Sequence, residues 1–292
     1  MVYLSRTLGA VLLALSTFAG AQTPAAMPKD APELLNIGPY RVQLVSVGTG
    51  PYTVIFESGF GRDLNVWRDV APQVARSNKV ITYSRAGHGR SEARPGTPTV
   101  ASRTDELEQV IAAAGVRPPF VLVGHSYGGF LIRSYAARHP AEIAGMVFVD
   151  PSDEHQNTEL RKLDAAAVDN DARLLVQYMP PKFQPELAQV QAILDSGTLP
   201  LAGPLPDVPV VVLTSVQRRE QPQLFLETPA AVDVWRDLHA RFFRGFRRGS
   251  HVVTPDSGHN IHQEQPQLVV AAIAQVIAAA DTARADEAAG KK

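Results

Sequence analysis

A serine stands between two glycines in the segment GHSYG, residues 124–128. The apolar run FVLVG leads into Ser126, and a helical pattern over residues 127–138 follows it, so the segment joins a predicted strand to a predicted helix. So sharp a turn brings the backbones of Gly124 and Gly128 together and holds the serine in a strained conformation with its hydroxyl exposed. The pattern predicts a nucleophilic serine; the alternative is an ordinary glycine-rich turn.

A serine hydroxyl needs a general base, and His259 is the favoured candidate. It follows the last predicted strand, in the segment VVTPDSGHNIHQEQP, and precedes a helix that begins at about Pro266. A histidine on such a loop can reach across to the serine. His262, three residues later, is the competing candidate. The pair of histidines could also suggest a metal site, but no third ligand is evident, so no metal is predicted.

A carboxylate must orient the histidine and stabilise its protonated form. Asp150 ends the strand pattern GMVFVD, one strand-and-helix unit after Ser126. Catalytic groups of parallel sheets lie at the carboxyl ends of strands, and the chain order Ser126, Asp150, His259 agrees with the order expected for a serine at such a turn. Asp150 could instead cap the segment that follows it. Three other carboxylates remain as alternatives: Asp153, Glu220 and Glu57.

Attack on a carbonyl carbon creates an oxyanion, which backbone N–H groups can stabilise. The N–H of Tyr127 lies at the predicted N-terminus of a helix, where the helix dipole favours negative charge. A second donor is expected from the segment ESGFGRDLNVW, after the strand pattern YTVIF, and the N–H of Phe60 is the candidate. Gly59 and Gly61 allow the backbone to approach closely there.

Short β-branched runs alternate with helical patterns from Tyr40 onward. Helices are predicted over residues 102–114, 127–138 and 266–280. Near-continuous apolar runs suit strands that are buried on both faces, so the alternation predicts an α/β architecture with a mostly parallel sheet of about eight strands flanked by helices. The first pattern, YRVQLVSVG, alternates apolar and polar residues and predicts an exposed strand. The near-continuous apolar runs are YTVIF, KVITY, FVLVG, GMVFVD, PVVVLTS and SHVVT.

One long segment interrupts this alternation. Residues 152–206 contain no convincing strand pattern but carry amphipathic helical patterns punctuated by proline, which predicts a helical cap inserted after the sixth strand. These helices could instead merely cover the core. Residues 39–151 and 207–280 then form the core. The remaining parts are a linker over residues 22–38 and a flexible tail over residues 281–292.

The N-terminus carries an export pattern. One positive charge precedes an apolar run from Leu8 to about Ala19, and small residues follow up to Ala21. We expect a signal peptide over residues 1–21, cleaved near Ala21 to give a secreted or periplasmic protein. An uncleaved membrane anchor is the alternative, but the run is short and rich in small residues. No later segment is predicted to be long and apolar enough to span a bilayer, so no stable membrane anchor is expected.

Composition excludes several classes of function. The 292 residues carry a formal net charge of −1, so the chain shows no electrostatic signature of nucleic-acid binding. The absence of cysteine from the sequence excludes thiol catalysis, disulfides and cysteine-ligated zinc. The sequence has no P-loop, and AGHGRSE lacks the third glycine of a dinucleotide fingerprint, so no cofactor is predicted.

Four sequence blocks together resemble the α/β-hydrolase superfamily, and within it the lid-bearing serine hydrolases and esterases. They are FESGFG, YSRAGHGRS, GHSYGG and DSGHNIHQEQP, and the likeness spans about residues 40–280. It implies hydrolysis of a small, apolar carboxylic ester through an acyl-enzyme, with Ser126, His259 and Asp150 as the triad. The alternatives are an amidase, peptidase or cofactor-free perhydrolase with the same triad, and a non-catalytic ligand-binding protein of this fold.

The chain departs from the family pattern at three positions. Ser58-Gly59 stands where His-Gly is usual, and Ser84 replaces the aspartate of the second block. The acid usually found after the seventh strand is missing. Some members of the superfamily place this acid after the sixth strand, which is the position that Asp150 would occupy.

Overall fold

The structure is a computed structural model that describes residues 32–201 and 203–290. The predicted signal peptide and its cleavage site lie outside these residues, as do residues 22–31 of the predicted linker and residues 291–292 of the predicted tail.

Eight strands form one sheet in the order β1-β2-β4-β3-β5-β6-β7-β8. The pairs β1–β2 and β2–β4 are antiparallel, and the other five neighbouring pairs are parallel. This mostly parallel, eight-stranded sheet confirms the predicted fold class. The strands are β1 (Glu33–Asn36), β2 (Arg41–Val47), β3 (Thr53–Glu57), β4 (Lys79–Tyr83), β5 (Phe120–His125), β6 (Ile143–Val149), β7 (Val210–Ser215) and β8 (Gly249–Thr254).

Helices flank the sheet on both faces. The α-helices of the described residues are α1 (Ala71–Val74), α2 (Val100–Ala113), α3 (Gly128–Arg138), α4 (Gln156–Tyr178), α5 (Gln184–Ser196), α6 (Pro229–Phe243), α7 (Ile261–Glu264) and α8 (Pro266–Ala288), of which α4 and α5 lie in the segment between β6 and β7. Short 3-10 helices span Leu64–Trp67, Pro140–Glu142, Pro181–Phe183 and Phe225–Glu227.

Alternate residues of the central strands pack into two separate cores. On β5, Val121 and Val123 belong to the core that includes Ile273 of α8. Leu122, between them in the chain, belongs to the core that includes Leu107 of α2. Successive side chains of a strand point to opposite faces of its sheet, so β5 is covered by helices on both sides. This burial explains why its sequence is continuously apolar.

The segment between β6 and β7 is helical, as the sequence predicts. Its two helices are α4, which is interrupted by the extended backbone of Asp164, and α5. We call residues 152–206 the insertion. A buried ion pair joins it to the core: the guanidinium of Arg103, on α2, donates to both carboxylate oxygens of Glu186, on α5, at 2.8 Å each.

Two predicted irregular segments contain regular structure. Strand β1 lies within the predicted linker, where it pairs with β2 from Glu33 opposite Leu44. The sequence of β1 is short and contains no β-branched residue. Its strand conformation is therefore determined by pairing with β2 and not by local propensity. Helix α8 continues through Asp281, into the predicted tail. There the hydroxyl of Tyr52 donates to the Asp281 carboxylate at 2.7 Å and ties the helix to the core.

Helix α8 is, by length and composition alone, capable of crossing a membrane. It has 23 residues, and its most apolar stretch has a mean hydropathy of 1.5. The prediction that no such segment follows the N-terminal run is therefore wrong. One stripe of the helix, which includes Val269, Ile273 and Val276, is buried against the sheet, as expected for a core helix of a globular domain.

Candidate active site

Ser126 forms the turn between β5 and α3, at the carboxyl end of the parallel strands. Its φ of 51° lies in the left-handed region, which non-glycine residues rarely adopt. The end of β6 holds this turn from one side: the N–H of Ser126 donates to the carbonyl of Val149 at 3.2 Å, and the N–H of Ser152 donates to the carbonyl of Ser126 at 3.0 Å. Strain of this kind persists only where the surrounding structure enforces it, and it is concentrated at functional sites.

The glycines around Ser126 are required by close backbone contacts. A Cβ atom on Gly124 would lie 2.7 Å from the carbonyl oxygen of Gly128, and one on Gly128 would lie 2.4 Å from the carbonyl oxygen of Glu57. A Cβ atom on Gly59 would lie 2.8 Å from Nδ1 of His125 and 3.4 Å from Cβ of Ser126. The loop after β3 therefore packs directly against the serine turn.

Asp150 and His259 are in direct contact. Nδ1 of His259 lies 2.7 Å from Oδ2 of Asp150. The other carboxylate oxygen accepts hydrogen bonds from the backbone N–H of Ser215 at 2.8 Å and from the indole N–H of Trp235 at 2.9 Å. The aspartate side chain is buried, whereas the imidazole is 48% exposed. This geometry fixes the orientation of the imidazole and leaves its other face accessible to a ligand.

The other candidate acids are placed elsewhere. The carboxylate of Glu57 is buried between the guanidinium of Arg85, at 3.1 Å, and the hydroxyl of Tyr83. Asp153 accepts the backbone N–H of His155, at 2.9 Å, and Glu220 is exposed after β7. Within residues 32–201 and 203–290, none of the three hydrogen-bonds to His259.

His262 is a buried aromatic residue. Its ring centroid lies 4.7 Å from that of Trp67 and 4.3 Å from that of His125. Neither of its ring nitrogens has a hydrogen-bond partner among the described residues. Burial, together with the nearby charges of His259 and Arg62, lowers the pKa of His262 to about 3. His262 therefore remains neutral and has no carboxylate to orient it, unlike His259.

His125 joins the serine turn to the histidine loop. Its Nε2 lies 2.9 Å from the backbone carbonyl of His259, and the two rings are 4.7 Å apart. A carbonyl can only accept a hydrogen bond, so Nε2 of His125 carries the proton. Burial lowers the pKa of His125 well below its ordinary value, so the ring is neutral. The loop that carries His259 is thereby fastened beside Ser126.

Both predicted oxyanion donors lie next to Ser126. Tyr127 immediately precedes α3, and Phe60 follows Gly59, the residue that packs against the serine. The aromatic rings of Phe60 and Tyr127 meet edge to face at 5.8 Å. In the described chain, neither of their backbone N–H groups donates to another group of the protein. Two unpaired donors are therefore present beside the serine.

The insertion reaches this loop. Phe183 stacks on His88 at 4.6 Å and meets Phe60 at 6.3 Å between ring centroids. The hydroxyl of Tyr127 donates to Glu186 at 3.4 Å. The chain around the start of α5 therefore contacts the two residues that carry the predicted oxyanion donors.

One cluster of potential metal ligands occurs in the described part of the chain, at Asp153, Glu154 and His155. Both oxygens of Glu154 already accept hydrogen bonds from Arg133, at 2.6 and 2.8 Å. The geometry is that of an ion pair at the start of the insertion, and it lies outside the predicted triad.

Sequence reasoning missed two partners of Asp150. Ser215 ends β7, and its contribution is a backbone N–H that no side-chain pattern reveals. Trp235 lies on α6, 85 residues beyond Asp150, in a helix that the sequence analysis did not assign. The amphipathic pattern over Pro229–Phe243 could have predicted the helix. No neighbouring residue in the sequence indicates that the indole N–H would donate to Asp150.

Residues 52–193 match the family model of the alpha/beta hydrolase fold. The chain belongs to the α/β-hydrolase superfamily. This α/β-hydrolase is 26% identical to the uncharacterized protein YqjL of Bacillus subtilis, over 80% of this chain and 86% of YqjL. It is 27% identical to an AB hydrolase superfamily protein of Gibberella zeae, over 76% of this chain and 85% of the relative.

A solved structure of a hydrolase has the same fold. The carboxylesterase CesB (YbfK) of Bacillus subtilis superposes with a TM-score of 0.56, at 15% sequence identity, over 86% of this chain and 92% of CesB. At this identity the likeness concerns the fold, while the family match and the hydrolase neighbours together support a hydrolase.

Proposed function

We propose that this α/β-hydrolase is a serine hydrolase that cleaves carboxylic esters through an acyl-enzyme intermediate. The observation that carries the proposal is the 2.7 Å contact between His259 and the buried carboxylate of Asp150, on a loop fastened beside the strained Ser126. A nucleophile, a base and an orienting acid at the ends of β5, β8 and β6 form the arrangement that acyl transfer requires.

The proposed reaction has two halves. The hydroxyl oxygen of Ser126 attacks the acyl carbon while Nε2 of His259 accepts the hydroxyl proton. The N–H groups of Tyr127 and Phe60 bind the resulting oxyanion. When the tetrahedral intermediate collapses, the ester C–O bond breaks and His259 returns the proton to the leaving alcohol. Water then repeats the cycle on the acyl-enzyme, releasing the acid and the free serine.

Asp150 remains ionised throughout this cycle. Its carboxylate holds the Nδ1–H of His259, so that Nε2 presents a lone pair to Ser126, and it stabilises the imidazolium that forms after proton transfer. The hydrogen bonds from Ser215 and Trp235 hold the carboxylate in the orientation that this role needs.

The surroundings favour a small apolar substrate. Aromatic rings of Phe60, Tyr127 and Phe183 cluster where the insertion meets the oxyanion loop. We therefore assign the insertion the role of a cap that contributes an apolar acyl or alcohol pocket. The name of the structurally similar CesB, a carboxylesterase, agrees with an ester as the substrate.

Labelling with a fluorophosphonate tests the proposal directly. An activated serine attacks phosphorus and displaces fluoride, so the wild-type protein should gain one adduct, which peptide mass spectrometry places on Ser126. Ser126→Ala should not be labelled. A well-folded wild-type protein that neither reacts nor hydrolyses p-nitrophenyl esters of two to eight acyl carbons would overturn the proposal and favour a ligand-binding role.

We also propose that the chain is exported and cleaved near Ala21. The apolar run from Leu8 to about Ala19, with small residues after it, supports the proposal. Expression of the full chain in a bacterium with a periplasm should yield a periplasmic protein whose intact mass corresponds to a start at about residue 22. A full-length protein in the membrane fraction would contradict cleavage.

A further inference from the structure

We propose that Arg85 is a positioning residue for the oxyanion hole, in that its guanidinium aligns the Phe60 N–H toward Ser126. The inference rests on the proposed function, because it concerns the donor that would bind the oxyanion. It assigns a role to a residue outside the triad, which lies in a different sequence block, YSRAGHGRS.

Arg85 lies just after β4, and its side chain is 2% exposed. Nη1 donates to the carbonyl oxygen of Ser58 at 2.7 Å, and Nη2 donates to the carbonyl oxygen of Gly59 at 2.6 Å. Two successive carbonyl groups of the oxyanion loop therefore point at one planar guanidinium. Such a forked pair of hydrogen bonds fixes orientation as well as distance.

The direction of the Phe60 N–H follows from peptide geometry. The Gly59 carbonyl and the Phe60 N–H belong to the same peptide unit, and in a trans peptide the two groups point in opposite directions. Because the carbonyl is directed at Arg85, the N–H is directed away from it. Gly59 packs so closely against Ser126 that no side chain would fit between them. The peptide unit that joins Gly59 to Phe60 therefore lies next to the serine.

Arg85 also contacts the other proposed donor residue. Its guanidinium carbon lies 5.5 Å from the ring centroid of Tyr127, and such placement over an aromatic face is attractive. One side chain thus touches both segments that contribute to the oxyanion hole. The loop after β3 and the turn after β5 are therefore both positioned against the same guanidinium.

The charge of Arg85 is balanced locally. Glu57 lies 3.1 Å from Nη1 and also accepts a hydrogen bond from the hydroxyl of Tyr83. A buried cation without such a partner would be strongly destabilising, so the carboxylate stabilises the buried guanidinium, while the two carbonyl groups set its orientation. Lysine would retain the charge but would replace the planar fork by a single point donor, so it would not fix both carbonyl groups.

The test compares Arg85→Lys with wild type and with Arg133→Lys. Arg133 is a matched control, because it is also a buried arginine forked to a carboxylate, Glu154, but it makes no hydrogen bond to the oxyanion loop. Arg85→Lys should lower kcat by about 10- to 100-fold, less than the roughly 100- to 1,000-fold for outright removal of an oxyanion donor, because the N–H is misaligned and not removed. KM should change by less than about threefold, because ground-state binding does not use the hole.

A trifluoromethyl ketone gives the decisive measurement. The Ser126 oxygen adds to its carbonyl carbon, the proton passes to His259, and the oxyanion of the adduct occupies the hole. The inhibition constant should therefore rise in Arg85→Lys by the same factor as kcat falls. Arg133→Lys should lose thermal stability without either change. A purely structural role for Arg85 would lower thermal stability but leave kcat and the inhibition constant near their wild-type values.

If Arg85→Lys does not fold, the charge-neutral double variant Glu57→Gln, Arg85→Gln replaces it, with Glu57→Gln alone as its control. Glu57→Gln should lower thermal stability, because it removes the counter-charge of the buried guanidinium. It leaves the two hydrogen bonds from Arg85 to the carbonyl groups of the oxyanion loop, so the folded variant should keep kcat within about fivefold. The double variant should show the full loss. Equal kcat in these two variants would overturn the inference while leaving the proposed function intact. Failure of wild-type labelling at Ser126 would instead overturn the proposed function itself.

Discussion

Oδ2 of Asp150 lies 2.7 Å from Nδ1 of His259, although 109 residues separate the two in the chain. Three strands bring them together. Asp150 directly follows β6, β7 pairs with both β6 and β8, and the loop after β8 carries His259 back over the carboxyl end of the sheet.

Asp150→Asn should lower kcat by about 10⁴-fold with little change in KM, because the imidazole would lose both its tautomer control and its counter-charge. The substitution keeps the shape of the side chain, so the fold should persist. Steady-state hydrolysis of a p-nitrophenyl ester measures the loss. Asp153→Asn is the control and should stay within about fivefold of wild type. Near-normal turnover in Asp150→Asn would move the acid role to another carboxylate.

Trp235→Phe should lower kcat by about 10-fold. The change removes the indole N–H from Asp150 but keeps an aromatic ring beside His239, whose centroid is 4.4 Å away. A hydrogen bond to a charged group contributes about 1.5 to 3 kcal/mol, and this energy sets the size of the expected fall in kcat. Ser215→Ala is the comparison: it keeps the backbone N–H that donates to Asp150 and removes the hydrogen bond from the Ser215 hydroxyl to the Ser257 carbonyl, so kcat should fall less than in Trp235→Phe. Unchanged turnover in Trp235→Phe would show that this N–H alone orients the carboxylate.

His259→Phe should abolish turnover and fluorophosphonate labelling, whereas His262→Phe should retain turnover within about 10-fold. His262 occupies an aromatic environment and makes no hydrogen bond among the described residues, so a phenyl ring preserves its packing. Both variants are compared by initial rates and by circular dichroism. The reverse pattern, an active His259→Phe and an inactive His262→Phe, would exchange the roles of the two histidines.

Stability should fall as the pH falls from about 6.5 toward 3. Burial lowers the pKa of His88 and of His262 to about 3, whereas the same residues in the unfolded chain bind protons below about 6.5. The unfolded state therefore binds more protons in this window, and each such histidine contributes a loss of up to about 1.4 kcal/mol per pH unit. Urea unfolding at pH 7.5, 6 and 5 measures the slope.

His262→Phe provides the internal check on that slope, since it should reduce the pH dependence between 6 and 5 by about one bound proton. Parallel slopes in wild type and His262→Phe would mean that His262 is protonated in the folded state.

Gly128→Ala should destabilise the protein by about 1 to 3 kcal/mol or prevent folding, because the new Cβ would collide with the backbone of Glu57. Gly203→Ala, whose Cβ would have its nearest neighbour at 3.4 Å, should be close to neutral. Thermal unfolding of the two variants makes the comparison. An equal effect of both substitutions would indicate that the turn relaxes around the methyl group.

The fold was predictable because the strands and helices carry strong local patterns. Near-continuous apolar runs marked six strands, an alternating pattern marked a seventh, and the glycine spacing around Ser126 marked the strand-turn-helix junction. Strand β1 was missed because its four residues, ELLN, acquire their conformation by pairing with β2. The far end of α8 was missed because a contact between Tyr52 and Asp281, 229 residues apart, supports it.

The side chains of the candidate site could be predicted from the sequence, but the groups that hold those side chains in place could not. Ser126, Asp150 and His259 could be proposed from their positions at the ends of strands. The donors that orient Asp150 could not, because one is a backbone N–H and the other is an indole on a distant helix. The same holds for Arg85, whose partners are carbonyl groups that carry no side-chain identity.

Strand β7 ends at Ser215, whose backbone N–H donates to Asp150 and whose hydroxyl donates to the carbonyl of Ser257 at 2.6 Å, so it supplies no reacting group. The connection that follows it therefore has no triad residue in the proposed mechanism, and residues 218–223 are exposed. An inserted reporter peptide or affinity tag is best tolerated here, since the chain can lengthen without displacing a reacting group. Substitutions at the same place would leave the triad and its hydrogen bonds unchanged, so the sequence there can vary without altering the chemistry of bond cleavage.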